Sequence, residues 1–349
     1  MSNLLADPVQ SARAAGLRYV SNDRPGIQRQ KVGRGFSYID LDGNRIPPSP
    51  ERDRIQALAI PPAWTEVWIC PHPQGHLQAT GRDAKGRKQY RYHPEWRRLR
   101  SRAKFDRLLP FGLVLPTLRQ HTTQHLKLKG LPREKVLATV VQLLGKTLIR
   151  VGNDQYARRN RSFGLTTLRD RHVEIEEGQV TFEFRGKSGV EHAITLEDPR
   201  LAKIVQQCQE IPGYELFQYF DENKQRQTVD SGDVNVYLQQ ITGSDFTAKD
   251  FRTWAGTVLT AAELIKISDF EDDRQAQKHV RETVKAVAKQ LGNRPATCRK
   301  YYIHPVIIET YIEAKLIAMM EKRRSELEHH AQLSAHETGV LSILHQTSS

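Results

Sequence analysis

Five polar residues in the second half of the chain could together cleave a phosphodiester bond. They are Arg150, Lys187, Arg252, Asn293 and Tyr302. A tyrosine hydroxyl can attack phosphorus, but an ordinary phenol is mostly protonated at neutral pH because its pKa is about 10. Two arginines would favour the phenolate and bind the phosphoryl oxygens through their forked donors. An asparagine can donate a further hydrogen bond to the same oxygens, and a lysine can protonate the departing sugar oxygen.

The charge of the chain predicts a polyanionic partner. Its 53 Lys and Arg outnumber its 40 Asp and Glu, which gives a formal net charge of +13. Eleven basic and three acidic residues lie between Arg82 and Arg107, so this stretch alone carries a surplus of eight positive charges. Tyr90, Tyr92 and Trp96 are interleaved with these cations. A solvated basic face is the simpler interpretation, but the aromatic residues favour contact with a nucleic acid.

Other classes of site have little support in the sequence. Three cysteines, Cys70, Cys208 and Cys298, show no pairing pattern and indicate reduced thiols in a cytoplasmic setting. The sequence contains no CxxC, HExxH or GxxxxGK[ST] motif, so we expect no metal and no cofactor. It also lacks an apolar signal region and any long uncharged apolar run. We therefore expect a soluble cytoplasmic protein without membrane contact.

Residues 1–100 are predicted to form a small, β-rich domain. The segment FSYIDLDGNRIP alternates toward a turn at Asp42-Gly43, and VWICPHP and GHLQATGRDAKGRKQYRYHP are typical of further strands. One short helix, in ERDRIQALAIPP, is expected to stop at Pro61-Pro62 because proline cannot continue a helix.

Residues 101–330 are predicted to be mainly helical. PREKVLATVVQLLGKTLIRVG has a helical apolar period, and HVEIEEGQVTFEFRGKSGVEHAITL predicts three short strands that place Lys187 at a hairpin tip. Pro305 is expected to open a long final helix through IIETYIEAKLIAMMEKRRSELE, and residues 331–349 to form a loosely ordered tail. The predicted fold class is α+β: a β-rich domain followed by a helical domain with a β-hairpin insertion.

In its motifs the chain resembles the type IB DNA topoisomerases of the small poxvirus-like and bacterial branch. The motifs are IPPAW, QATGRDAKGRKQYRYH, LIRVGNDQYA, FGLTTLRDRHV, FRGKSG, KDFRTW and KYYIHP. Their order and spacing cover nearly the whole chain, from about Gly16 to Met320. The resemblance implies relaxation of supercoils of both signs through a 3′-phosphotyrosyl intermediate, without ATP or an obligatory metal.

The resemblance also implies a role for each candidate residue. Tyr302 matches the nucleophile, with its neighbour Tyr301 as the rival. Arg150 and Arg252 match the two phosphate-binding arginines. Lys187 matches the general acid, and Asn293 falls where most relatives carry histidine and several bacterial relatives carry asparagine. At that position the asparagine keeps a hydrogen-bond donor but offers no positive charge.

The resemblance further implies a monomer that closes as a clamp around double-stranded DNA, in the cytoplasm and associated with the nucleoid. The N-terminal segment KGRKQYRY would contact the duplex. Its cations would bind phosphates, and its Gln and Tyr side chains would reach the groove or the sugar edges. The contact residues expected on this basis are Lys85, Arg87, Lys88, Gln89, Tyr90 and Tyr92.

Two alternatives from other classes remain at this point. A tyrosine recombinase uses a similar catalytic set, but it typically has His-x-x-Arg where this chain has Lys249-Asp250-Phe251-Arg252. A DNA-binding protein without catalytic activity would show salt-sensitive binding and no covalent adduct. Taken singly, each candidate also has an ordinary structural interpretation, such as a surface ion pair, a turn lysine or a helix-ending asparagine.

Overall fold

The computed structural model describes residues 7–84, 86–322 and 332–347. The chain divides into two compact units, Met1–Phe105 and Asp106–Ser349. Within the described residues, no helix combines the length and the apolar character needed to cross a membrane.

The first unit is built around an antiparallel sheet in the order β2-β1-β3-β4-β5. Its strands are β1 (Ile27–Val32), β2 (Gly35–Ile39), β3 (Thr65–Ile69), β4 (Leu77–Arg82) and β5 (Lys88–Tyr92). Alternation sends one set of side chains into a core that holds Ile27, Tyr38, Val67, Ile69 and Ala79. The predicted strands are therefore confirmed, and the loop before β5 contains Gly86, whereas Gly81 lies within β4 and pairs with Gln89.

Three helices accompany this sheet: α1 (Pro8–Ala14), α2 (Pro50–Ala57) and α3 (Pro94–Asp106). The predicted helix before Pro61-Pro62 is confirmed as α2, but it ends earlier than expected. Ser49 caps its start, and Ala59 adopts a left-handed φ of 47° shortly after its end. The turn at Asp42-Gly43 is also present, followed by a single bridge between Ile39 and Arg45.

The second unit is mainly helical. Its helices are α4 (Leu108–His125), α5 (Arg133–Thr147), α6 (Asp154–Asn160), α7 (Pro199–Gln209), α8 (Ser231–Thr242), α9 (Ala248–Ile265), α10 (Asp273–Gln290), α11 (Pro295–Tyr302), α12 (Pro305–Ile312), α13 (Leu316–Glu321) and α14 (Ala335–Thr347). α5 and α9 lie at the centre of the core, because most residues of both helices are buried. The α+β fold class is confirmed.

Two small sheets complete the second unit. The insertion forms the antiparallel sheet β6 (Val173–Glu176), β7 (Gln179–Arg185) and β8 (Glu191–Glu197), in that order and with Lys187 at the predicted tip between β7 and β8. A short hairpin of β9 (Gln218–Phe220) and β10 (Arg226–Thr228) was not predicted. Strands of three residues carry too little alternation to be recognised from sequence.

The expected long helix after Pro305 is wrong. The chain instead forms α12 and α13, which are separated by a turn in which Ala314 adopts a left-handed φ of 54°. The amides of Ala314 and Lys315 bond back to Tyr311 and Thr310, so this turn closes α12 as a C-cap does. The expected helix also runs past residue 322 into residues that lie outside the described ones.

The expected loosely ordered tail is also wrong. Residues 335–347 form α14, whose Val340 and Ile343 are fully buried. Glu337 on this helix forms a salt bridge with Arg119 and accepts a hydrogen bond from Trp254 Nε1 at 3.0 Å. A short apolar run with two histidines has a weak sequence signal, so its packing against the helical core decided its structure.

Candidate active site

Arg252 is held almost completely buried in the second unit. It lies in α9, and its side chain donates one hydrogen bond to the carbonyl of Leu148 and another, at 2.5 Å, to the carbonyl of Leu291. These two carbonyls follow the ends of α5 and α10. Carbonyls at helix C-termini carry partial negative charge, so they stabilise a buried cation. Arg252 Nε has no hydrogen-bond partner among the described residues.

Arg150 lies beside this group, in the segment that follows α5. Its backbone carbonyl accepts a hydrogen bond from the amide of Leu165 at 2.8 Å, which fixes the loop. Its Nη2 donates to Asn293 Oδ1 at 2.6 Å. Burial lowers the pKa of Arg150, while burial and the positive charge of Arg150 together lower the pKa of Arg252 to about 10. Because arginine stays protonated in proteins, both guanidinium groups are charged at neutral pH.

Asn293 is positioned by the end of α10. Gly292 closes that helix with a left-handed φ of 57°, and the Asn293 amide bonds back to Ala288 at 2.8 Å. Because arginine can only donate, the Asn293 atom that faces Arg150 must be the side-chain oxygen. The amide nitrogen therefore points away from Arg150. That Nδ2 is buried and has no partner among the described residues. A buried donor without an acceptor costs about 1–3 kcal/mol. Such an unpaired donor is typical of a site that binds a ligand.

Tyr302 faces the two arginines. It is the last residue of α11, and the Arg252 guanidinium carbon lies 5.3 Å from the centroid of its ring. The side chain of Tyr302 interacts electrostatically with both Arg150 and Arg252, and this interaction partly offsets the lowering of each guanidinium pKa by burial. Tyr301, by contrast, is 42% exposed and has Lys300 over its ring at 5.4 Å. Of the two neighbouring tyrosines, Tyr302 is the one that contacts the arginines.

The backbone of Tyr302 is held against α9. Thr257 donates a hydrogen bond to the Tyr302 carbonyl at 3.3 Å and accepts one from the His304 amide at 3.0 Å. The approach is close because α9 has Gly256 at this point. A Cβ on Gly256 would lie 2.5 Å from the Tyr302 carbonyl oxygen and 3.0 Å from its Cβ. Sequence reasoning missed this glycine, since a glycine inside a helix does not reveal what packs against it.

Lys187 lies in a single-turn 3-10 helix, Lys187–Gly189, between β7 and β8. Its side chain is exposed. It nevertheless lines the same small cleft as Arg150 and Arg252. The structure thus brings all five candidate residues together: three line one cleft, and Asn293 and Tyr302 contact its arginines.

His192 also lines this cleft, and sequence reasoning missed it. It lies in β8, where alternation places it on the inner face with Ile194 and Leu196. Burial, followed by the charges of Arg150 and Arg252, lowers its pKa, so the ring is neutral at pH 7. The sequence could have indicated His192 through the alternation of β8, which places this histidine on the face otherwise occupied by apolar residues.

The expected DNA-contact residues of the first unit lie on and before β5, which forms an edge of the sheet. Tyr90 and Tyr92 are 46% and 37% exposed and stack with ring centroids 5.9 Å apart. Arg87 forms a salt bridge with Asp83 at 2.6 Å. Two further contacts are Lys88 to Asn22 at 3.1 Å and Gln89 to Asp83 at 3.0 Å, while Lys85 lies outside the described residues.

A second basic surface, which sequence reasoning missed, lies on α10. Five cations recur at intervals of four, three, four and four residues, and all five are exposed. On a helix with 3.6 residues per turn these intervals place them on one face, and the helix ends beside Asn293. We name this surface the α10 basic face, made up of Arg274, Lys278, Arg281, Lys285 and Lys289.

Comparison with known proteins gives consistent results for both parts of the chain. A family model described as the catalytic core of eukaryotic DNA topoisomerase I matches residues 93–331, and one described as the N-terminal domain of bacterial DNA topoisomerase IB matches residues 35–83. DNA topoisomerase 1B of Acanthamoeba polyphaga mimivirus is 33% identical over 293 residues, which is 82% of this chain and 87% of the relative. DNA topoisomerase 1B of Vaccinia virus (strain Copenhagen) is 22% identical over 282 residues, or 78% of this chain and 86% of the relative.

Proposed function

The chain belongs to the type IB DNA topoisomerases, and on that premise we propose that Tyr302 is the nucleophile that cleaves one DNA strand. The observation that carries this proposal is the position of Tyr302: the Arg252 guanidinium lies against its ring, and its side chain interacts with both Arg252 and Arg150. Two fixed cations favour the phenolate and also lie where the phosphate of the attacked strand must bind. Tyr301 has different surroundings, because the cation over its ring is the exposed Lys300.

The proposed reaction is a transesterification at phosphorus. The Tyr302 oxygen bonds to phosphorus as its proton passes to water, and the bond from phosphorus to the 5′-oxygen breaks. Arg150, Arg252 and the free amide of Asn293 stabilise the charge that develops on the non-bridging oxygens. Lys187 donates a proton to the departing 5′-oxygen. The product is a 3′-phosphotyrosyl link and a 5′-hydroxyl.

Religation follows the same steps in reverse. The energy of the broken bond is kept in the phosphotyrosyl link, so the reverse attack by the 5′-hydroxyl requires no ATP. Rotation of the duplex while the strand is open releases supercoils of either sign.

DNA contact extends beyond the catalytic residues. We assign phosphate contacts to Arg87 and Lys88, and to Lys85 from its sequence, with Gln89, Tyr90 and Tyr92 at the groove or sugar edges. The exposed, stacked tyrosines support this assignment, since a strand that only packed would bury them. The α10 basic face supplies further cations. We propose a monomer that closes as a clamp around the duplex and acts on nucleoid DNA in the cytoplasm.

Relaxation of supercoiled plasmid tests the central proposal. Negatively and positively supercoiled DNA are incubated in EDTA without ATP, with the wild type, Tyr302→Phe and Tyr301→Phe. We expect the wild type and Tyr301→Phe to relax both substrates and Tyr302→Phe to relax neither, with its noncovalent DNA binding retained. Relaxation by Tyr302→Phe together with its loss in Tyr301→Phe would transfer the role of nucleophile to Tyr301.

The recombinase alternative differs in assembly. A recombinase joins two duplexes in a synapse of four protomers, whereas the proposed clamp binds one duplex as a monomer. Sizing the complex of Tyr302→Phe with duplex DNA distinguishes the two, and we expect one protein per duplex.

A further inference from the structure

His192 lies between the two segments that carry Lys187 and Asn293. Its partner across the β7–β8 pair is Phe184, and the two rings stack with centroids 5.0 Å apart and planes 17° apart. This stacking fixes the plane of the imidazole. The edge of the ring then points at the backbone of two glycines.

Both glycines leave room for the imidazole ring. A Cβ on Gly186 would lie 2.6 Å from His192 Cδ2 and Nε2, and a Cβ on Gly292 would lie 2.5 Å from His192 Cε1. Real side chains do not approach so closely, so the ring touches both backbones directly. Gly186 has a φ of −93°, which any residue adopts, and space is therefore the reason for glycine there.

Each of these glycines lies next to a candidate catalytic residue. Gly186 immediately precedes Lys187, and Gly292 immediately precedes Asn293. The ring of His192 therefore spans from the base of the Lys187 turn to the end of α10. Because both glycines lie in van der Waals contact with the same ring, the ring sets the distance between their two segments.

From this geometry we propose that His192 is a positioning residue, which holds the Lys187 turn at a fixed distance from Asn293 and so places the acid over the leaving oxygen. The inference rests on the proposed function, since it requires Lys187 to be the acid. His192 acts through packing and transfers no proton itself. An error of about 1 Å in the position of a catalytic group can cost on the order of 100-fold in rate.

A substrate that needs no acid tests the proposal. Single-turnover cleavage is measured on a normal duplex and on one with a bridging sulfur in place of the 5′-oxygen, because a thiolate leaves without being protonated. On the normal duplex, His192→Ala is expected to cleave about 10- to 100-fold more slowly than the wild type. On the sulfur duplex the difference should nearly vanish, and His192→Phe should recover most of the rate on the normal duplex because it keeps the stacked ring.

Three results would overturn the proposal. They are wild-type cleavage by His192→Ala, a deficit of His192→Ala that persists on the sulfur duplex, and a His192→Phe variant as slow as His192→Ala. Lys187→Ala is measured beside them, and sulfur should restore its cleavage too. A Lys187→Ala variant that sulfur does not restore would show that the acid itself has been wrongly assigned.

The folded state of each variant is checked by its thermal unfolding and its noncovalent DNA affinity. If His192→Ala does not fold, Gly186→Ala provides the same test, since its added methyl group would meet Cδ2 and Nε2 of His192 and displace the ring. That variant should also cleave the normal duplex slowly and the sulfur duplex at nearly the wild-type rate. A Gly186→Ala variant with wild-type cleavage of the normal duplex would overturn the proposal.

Discussion

Arg150 donates a hydrogen bond from Nη2 to Oδ1 of Asn293 at 2.6 Å, and this one contact determines what Asn293 can do. The arginine occupies the only acceptor of the side chain, so the amide nitrogen is left as a buried donor without a partner among the described residues. The pair therefore offers an anion several donors and no acceptor. A phosphoryl oxygen is the group that such a pair would bind.

Substitutions at Asn293 should separate the loss of a donor from the gain of a charge. Asn293→Ala removes one neutral donor and is expected to slow single-turnover cleavage by about 10- to 100-fold. Asn293→Asp keeps the acceptor for Arg150, but it places a negative charge beside the phosphate and should be slower still. Arg150→Ala should also cost more than Asn293→Ala, because a charge-assisted contact is the stronger one. Wild-type cleavage by Asn293→Ala would contradict the proposed donor role, and equal rates for the alanine and aspartate variants would contradict the expected effect of the added charge.

Gly256→Ala should displace Tyr302. The new methyl group would meet the Tyr302 carbonyl oxygen at 2.5 Å, so α9 and α11 must separate. We expect cleavage to fall by about 100-fold while noncovalent DNA binding is retained. Gly145→Ala is the matched control, since it makes the same change within a helix and its methyl group would lie 3.7 Å from Phe251, an ordinary contact. Similar cleavage by the two variants would show that the close approach at Gly256 has no catalytic role.

Removing charge from the α10 basic face should weaken DNA binding and its dependence on salt. We expect the triple variant Lys278→Gln, Lys285→Gln, Lys289→Gln to reduce the slope of log affinity against log salt by about 0.9 for each phosphate that the protein ceases to neutralise. Fluorescence anisotropy over a range of salt concentrations measures this slope. The control makes the same charge change at three exposed lysines elsewhere, Lys203, Lys266 and Lys315. An equal slope in both triple variants would remove this face from the DNA-contact surface.

Two histidines, His172, which is buried, and His304, which is half-buried, should make the protein less stable in acid. Burial lowers the pKa of His304 to about 4, and burial with the nearby charges of Arg171 and Arg169 lowers the pKa of His172 to about 4. In each, Nδ1 accepts a backbone hydrogen bond, from Val306 for His304 and from Arg169 for His172. Since an unfolded histidine titrates near 6.5, the unfolded chain binds more protons between about pH 6.5 and 4.

The free energy of unfolding should therefore be lost progressively as pH falls from about 6.5 to 4. Urea unfolding over that range measures it. His304→Asn should lessen the loss, because asparagine can also cap the start of α12 but does not titrate. If His304→Asn leaves the pH dependence unchanged, His304 does not titrate as its burial indicates.

Much of this structure follows from neighbours in the sequence. The turn at Asp42-Gly43, the hairpin that carries Lys187 and the apolar period of α5 are local patterns, and each predicted its element correctly. The five candidate residues could also be named in advance, because each lies in a motif of its own. Where a local pattern was ambiguous, as between α12 and α13 or in α14, the prediction failed.

What only the tertiary structure decided are the contacts between residues far apart in the chain. Arg252 bonds to the carbonyls of Leu148 and Leu291, Gly256 lies against Tyr302, and His192 touches Gly186 and Gly292. Hydrophobic periodicity and turn chemistry act over a few residues, so the sequence by itself determined the elements and the types of reactive group. Close approach depends on how those elements pack, and packing alone set the distances on which the proposed chemistry depends.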